Sequence, residues 1–285
     1  MKHENIEQQI TDYIKLFPSY EKILNFFKEI SIEQNKYIED INIVPPEIKK
    51  SLRDIHLKEG FPLIDKKDFF IDINSSIDLF DSLCYISRNA NEKLRINVQY
   101  IEDAISINAL NLREIMRNFY DDPFIEKTAG EFDIDLPVFK FLIYESIKPS
   151  LILNVERISK ENEITNWHKG YCPVCGSMPD ISKLDKDGRR FLRCSFCNFI
   201  WQSERLKCPF CENTDDKKLH YFYAEDHEAY RVDLCDNCNQ YIKTVDLRKT
   251  NYDPFLPVDD IVTIHLDILA QEKGYKRPTA SLWGL

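Results

Sequence analysis

Hydrophobic positions recur at helical spacing through the first 165 residues and at strand spacing beyond them. Tyr20, Ile23, Leu24, Phe27 and Ile30 share one face, with Glu21, Lys22, Lys28 and Glu29 between them. This predicts an amphipathic helix, with Ser19, after Pro18, as its N-cap. Pro45-Pro46 breaks the pattern, and Gly60-Phe61-Pro62-Leu63 reads as an irregular connection. Asn74-Ser75-Ser76 opens a further helix, with Ser75 and Asp78 as a capping box and Ile77, Phe80, Leu83 and Cys84 on one face. Asp103 to Tyr120 predicts another, stopping near Asp122-Pro123. Asp135-Leu136-Pro137 starts one that runs through Phe139, Leu142, Ile143 and Ile147, and Pro149 should kink or end it before Leu151–Ile158 continues.

The pattern changes near Trp167. Strand-like patches at Ile181–Leu184, Arg190–Arg193, Phe199–Trp201, Leu219–Tyr223 and Tyr241–Val245 alternate with cysteine turns. Asp187-Gly188 suits a two-residue hairpin turn between the first two patches. A helix is expected from Asp259 to Gln271, then a polar tail ending Ser281-Leu282-Trp283-Gly284-Leu285.

Only 7 glycines stand against 18 Phe and 14 Tyr, which favours packed helices over loops. The net charge is -10. After residue 165 the chain has 17 basic and 18 acidic residues, leaving 21 and 30 before it. Nucleic-acid binding draws on phosphate neutralisation by Lys and Arg, so such a chain is a poor generic binder. The N-terminus has no apolar signal region, and no apolar run approaches a membrane span. A cytoplasmic location is therefore expected, where thiols stay reduced. The sequence has no Gly-rich phosphate loop, H-E-x-x-H or G-x-S-x-G. His3 and His56 stand alone, and Cys84 on its apolar face reads as a buried small hydrophobe.

The chemistry lies in four C-x-x-C pairs: Cys172/Cys175, Cys194/Cys197, Cys208/Cys211 and Cys235/Cys238. Each places two thiolates on a tight turn, and two such turns complete a tetrahedron that zinc or iron accepts. The residue after the second cysteine must tolerate positive φ. Gly176, Asn198 and Asn239 do so, and Glu212 is the weak one. Redox dithiols would need a helix opened by the first cysteine, and a disulfide framework would need an oxidising compartment. Sequential pairing gives intervals of 18 and 23 residues, each suited to one four-cysteine site. His168, His220 and His227 are not needed as ligands. Asn198–Lys207 would then form a wall between two modules, with Trp201 and Arg205 at the seam.

The cysteine flanks resemble those of the formate dehydrogenase accessory protein family, FdhE. The resemblance rests on Tyr171–Ser177 with Pro179, on Gly188–Trp201, on Arg205 and Lys207–Cys211, and on Leu234–Cys238 running into Tyr241–Lys243. It extends to Asp259-Asp260, His265-Leu266-Asp267 and Gln271–Tyr275, and fades before residue 166. It implies an α+β chain: an all-helical N-terminal domain (1–165), two tandem rubredoxin- or zinc-ribbon-like modules (166–205 and 206–250), and a C-terminal helix and tail (251–285). It implies iron or zinc at Cys172, Cys175, Cys194 and Cys197, and again at Cys208, Cys211, Cys235 and Cys238. It further implies a non-enzymatic role in maturing formate dehydrogenase through its catalytic subunit. A rubredoxin-like electron carrier and a zinc-ribbon module with another partner are the alternatives.

Overall fold

The computed structural model describes residues 3–44, 46–165, 167–224 and 227–281, and the side chains from residue 6 onward among these. The expectations at Pro45, at the His3 side chain and at tail residues 282–285 lie outside the described residues. The chain divides into two compact units, residues 1–46 with 66–158, and residues 47–65 with 159–283.

The first unit is helical: α1 (His3–Leu16), α2 (Glu21–Ile38), α4 (Ile73–Arg88), α5 (Glu92–Ser106), α6 (Leu112–Arg117), α7 (Asp122–Glu131) and most of α8 (Leu136–Glu161). Leu24, Phe27 and Ile30 are buried as the periodicity predicts. Ser19 is not the cap; it lies in a 3-10 turn, Pro18–Tyr20, that feeds α2 directly. Nor does Ser75 cap α4. The helix begins earlier, and the Asp72 carboxylate accepts from the Ser75 N–H. The single helix expected over Asp103–Tyr120 is two. Asn108 takes a left-handed φ of 56°, and Asn111 caps a fresh helix by accepting from Glu114 N–H. Asp122-Pro123 starts α7 instead of stopping its predecessor, with Asp121 as cap and Pro at the first turn, where its missing N–H costs nothing.

Pro149 neither ends nor divides α8, which runs 26 residues. A mid-helix proline frees the carbonyl four residues earlier, here that of Glu145. Gln34 on α2 donates to that carbonyl at 2.8 Å and to the Glu145 carboxylate at 2.7 Å. The freed acceptor is thus satisfied by a neighbouring helix, the condition a buried carbonyl requires.

The second unit is built on a mixed six-stranded sheet of order β3-β2-β1-β6-β5-β4. The strands are β1 (Pro179–Leu184), β2 (Arg190–Cys194), β3 (Ile200–Ser203), β4 (Leu219–Tyr223), β5 (Tyr230–Cys235) and β6 (Gln240–Asp246). The β1–β2 hairpin has a three-residue loop, not two. Asp185 N–H donates to Arg189 O at 3.0 Å, with Gly188 at φ 79° supplying the left-handed position. Each three-stranded half is an antiparallel meander. They join through a parallel β1–β6 ladder, Ile181 opposite Lys243 to Leu184 opposite Asp246. That ladder joins the two halves through the sheet, and the Arg205–Lys207 end of the Asn198–Lys207 segment also lines a cavity with Leu219, Leu234 and Ile242 of the second half.

The expected C-terminal helix is two, α9 (Leu256–Val262) and α10 (Ile264–Glu272), broken at Thr263. Both pack on the sheet, burying Ile261, Val262, Leu266 and Ala270. A fully or nearly fully buried charge network ties them down. Lys243 donates to Asp260 Oδ1 at 2.8 Å and Asp267 Oδ2 at 2.6 Å. Arg277 clamps both Asp260 oxygens at 2.9 Å, and Tyr241 donates to Asp267 at 2.9 Å. Burial of such groups is tolerated because every charge has a partner.

Residues 47–65 complete this unit. Helix α3 (Lys50–Glu59) ends at Gly60, left-handed at φ 80°. The strap after it makes two backbone hydrogen bonds to the first cysteine turn, Leu63 N–H to Pro173 O at 2.9 Å and Ile64 N–H to Val174 O at 3.0 Å.

Candidate metal centres

The structure gathers the eight cysteines into two tetrads, Cys172, Cys175, Cys194 and Cys197, and Cys208, Cys211, Cys235 and Cys238. Within each, all four sulfurs lie within 4.8 Å of one another. The closest Sγ pairs are 3.4–3.6 Å apart in the first tetrad and 3.6–3.7 Å in the second. A tetrahedron with metal–sulfur arms of about 2.3 Å has edges of roughly 3.8 Å. A disulfide needs about 2.05 Å, and all eight thiols are free.

The turns share one backbone solution. Gly176 N–H donates to Cys172 O, Asn198 to Cys194 O, Glu212 to Cys208 O and Asn239 to Cys235 O, at 2.8–3.2 Å. The four donors have φ of 74°, 60°, 59° and 54°. Glu212 therefore adopts the same left-handed turn as the others. The local penalty stays at Glu212, whose carboxylate reaches Lys169 and Lys207 at 3.7 Å. N–H groups face sulfur as a knuckle requires: Phe196 and Cys197 toward Cys194, and Phe210 toward Cys208, at 3.3–3.4 Å. This donor set fits a divalent ion with four thiolate ligands.

The two tetrads differ in shielding. All four cysteines of the first are buried, whereas Cys211 and Cys238 of the second are half-buried. Burial pushes Cys172 and Cys197 well up, while hydrogen bonding from Cys172, Cys194 and Cys197 holds Cys175 low. In the second tetrad burial raises Cys208 to about 11. Burial also acts on Cys211, but hydrogen bonding by Asn237 and the Asn213 backbone brings it to about 7. A bound cation favours the deprotonated thiolate at every one of these positions.

Several supporting residues carry no sequence motif. The strap at Pro62–Ile64 covers the first knuckle, and Tyr171 OH donates to Gly60 O at 2.6 Å. A Cβ at Gly170 would overlap the Pro209 carbonyl and sit 2.8 Å from Pro209 Cα. The backbone before the first knuckle thus lies directly on the second. Trp201 is buried and donates to Lys169 O at 3.3 Å, but Arg205 is exposed. Arg205 still lines the seam with Leu219 and Leu234, and Arg190 bridges there as well, donating to Ser203 Oγ at 3.2 Å and Lys207 O at 2.6 Å. No histidine is in either tetrad. His56 contacts Pro62 O at 2.8 Å and His220 contacts Asp236 at 2.9 Å. Cys84 is buried in α4, where burial raises its pKa.

Comparison with known proteins converges on one family. The family model described as FdhE, central domain, matches residues 171–205, and that described as FdhE, C-terminal domain, matches residues 206–283. The chain is 28% identical over 273 residues to the Protein FdhE homolog of Aquifex aeolicus, covering 94% of this chain and 90% of that one. It is 37% identical to Protein FdhE of Escherichia coli K12 over 113 residues, 38% of this chain and 35% of that protein. The crystal structure of the FdhE protein from Pseudomonas aeruginosa shares the fold, with a TM-score of 0.72 over 99% of this chain and 96% of that one at 17% identity. Among the described residues no helix is long and apolar enough to cross a membrane.

Proposed function

We propose a function from one premise: the chain belongs to the FdhE family. It is an accessory protein that assists maturation of formate dehydrogenase, contacting that enzyme's catalytic subunit in the cytoplasm without itself catalysing a reaction. The observation that carries this reading is the pair of closed four-cysteine knuckles in the segments matched by both family domains. Cys172, Cys175, Cys194 and Cys197 would hold one iron or zinc ion, and Cys208, Cys211, Cys235 and Cys238 a second. Four thiolates leave no open position for substrate, so the ions would stabilise the fold of the second unit. Co-purification from cells making both proteins should recover the formate dehydrogenase catalytic subunit with this chain. Repeated failure to recover it, with both proteins folded, would overturn the client assignment.

A rubredoxin-like reading is supported by one observation, the partial exposure of Cys211 and Cys238. Iron in that shell supplies a reducible centre near the surface. Anaerobically purified protein holding only zinc would eliminate it.

A further inference from the structure

A cavity of about 140 Å³ opens beside the second knuckle. Its apolar wall includes Leu206, Phe210, Leu219, Tyr221, Leu234 and Ile242. Arg190 and Arg231 also line it, at 3% and 6% exposure. The Nε atoms of both guanidinium groups are buried with no hydrogen-bond partner. Leaving a buried charged donor unsatisfied is among the costlier features of a fold; both Nε atoms lie sealed beneath the cavity wall, so an occupant meets the guanidinium groups at their remaining N–H edges. Each group is otherwise fixed: Arg190 by Ser203 and Lys207 O, and Arg231 by Asp233 at 2.9 Å and by stacking 4.9 Å over Tyr221. Lys207 and Arg205 add positive charge to the lining, while Asp233 is the one carboxylate there.

We propose that this cavity binds a monocarboxylate carried on an apolar group of about the size of a benzene ring. With Nη2 of Arg190 held by Ser203 and Lys207 O and that of Arg231 by Asp233, the charge-assisted N–H groups left on the two arginines suit the two oxygens of a carboxylate. An apolar cavity of about 150 Å³ takes benzene, which sets the size of the body. A monoanion fits better than phosphate, because Cys208 and Cys235 share the lining. Two negative charges would be brought close to those thiolates, in surroundings too apolar to screen them. Leu206 and Tyr221, 77% and 56% exposed, are large apolar side chains left uncovered at this lining. The inference is independent of the formate dehydrogenase assignment.

Isothermal titration of the metal-loaded full chain tests it, with benzoate, benzamide and inorganic phosphate as probes. Benzoate should saturate in the millimolar range or below, at least tenfold more tightly than benzamide or phosphate. A peptide ending in a free phenylalanine carboxylate is the second probe. If it binds more tightly than benzoate, the natural ligand is a chain terminus; if more weakly, a free acid. Arg231→Gln should weaken benzoate at least tenfold. Should that variant fail to fold, Leu206→Ser, at an exposed position, should weaken benzoate about threefold or more and leave acetate unchanged. Benzamide binding as well as benzoate, phosphate binding better, or no benzoate saturation by about 10 mM would each overturn the proposal.

Discussion

Gly170→Ala should destabilise the second unit strongly, although the φ of Gly170 is not left-handed. The added Cβ would overlap the Pro209 carbonyl and lie 2.8 Å from Pro209 Cα. Ordinary contact begins near 3.4 Å, so backbone must move by more than half an ångström at Cα and further at the oxygen. Pro209 cannot yield cheaply, because it lies between Cys208 and Cys211 of the second tetrad. Overpacking against mobile side chains costs about 1–3 kcal/mol, and rigid backbone places this case at about 3 kcal/mol or more. For a unit of this size that is a fall in melting temperature of roughly 10 °C. Gly130→Ala is the control. It lies within α7, where an added Cβ meets nothing within 4 Å. It should stabilise by about 0.5 kcal/mol through helix propensity. Melting followed by circular dichroism, with metal content measured on the same samples, should show opposite signs, and Gly170→Ala should lose metal from the second tetrad first. A Gly170→Ala protein that melts within a degree of the parent would refute the close approach.

Cys172→Ser should remove one metal ion and leave the other, read by native mass spectrometry; loss of both would contradict the separation of the tetrads. Glu212→Asn should raise stability by about 0.5–1 kcal/mol, since asparagine tolerates left-handed φ and the ion pairs lost at 3.7 Å are weak; a fall in melting temperature would count against this. Gln34→Leu should cost about 1–3 kcal/mol in urea titration, because it orphans the Glu145 carbonyl freed by Pro149; a neutral result would mean another group satisfies it. Burial opposes ionisation of Asp260, yet Lys243 and Arg277 hold its pKa below the ordinary value. A depressed folded-state pKa stabilises above the unfolded value of about 3.9 and is lost as pH falls beneath it. The gap in stability between the parent and Asp260→Asn should therefore narrow below about pH 4, and a constant gap would argue against this ionic role.

Local signals were legible and long-range ones were not. The knuckles could be read because cysteine spacing and the residue after each pair state their own geometry; the left-handed Gly176, Asn198 and Asn239 follow from it. Helix faces were legible at Leu24, Phe27 and Ile30 for the same reason. Caps failed by a few residues, since Asp72 and Ser75 are equally good cap residues and packing chooses between them. That the helix continues through Pro149 is not legible locally, because the group that satisfies the freed carbonyl, Gln34, is 111 residues away. Strand β5 was missed, and the charges of Lys243, Asp260, Asp267 and Arg277 gave no sign of being buried. Periodicity treats charge as surface, and only the folded sheet shows these four neutralising one another.

The β1–β6 ladder also sets the order of events during synthesis. Strand β1 is made at residues 179–184, but its second neighbour is not complete until residue 246. Until then β1 pairs only with β2, and its other edge, containing Ile181 and Leu184, stands open to any extended chain. The first tetrad could close early, since its four cysteines are complete at residue 197. The sheet that carries it cannot. A chain cut short between residues 205 and 240 would hold a finished knuckle on an unfinished sheet, with an open strand edge free to pair wrongly.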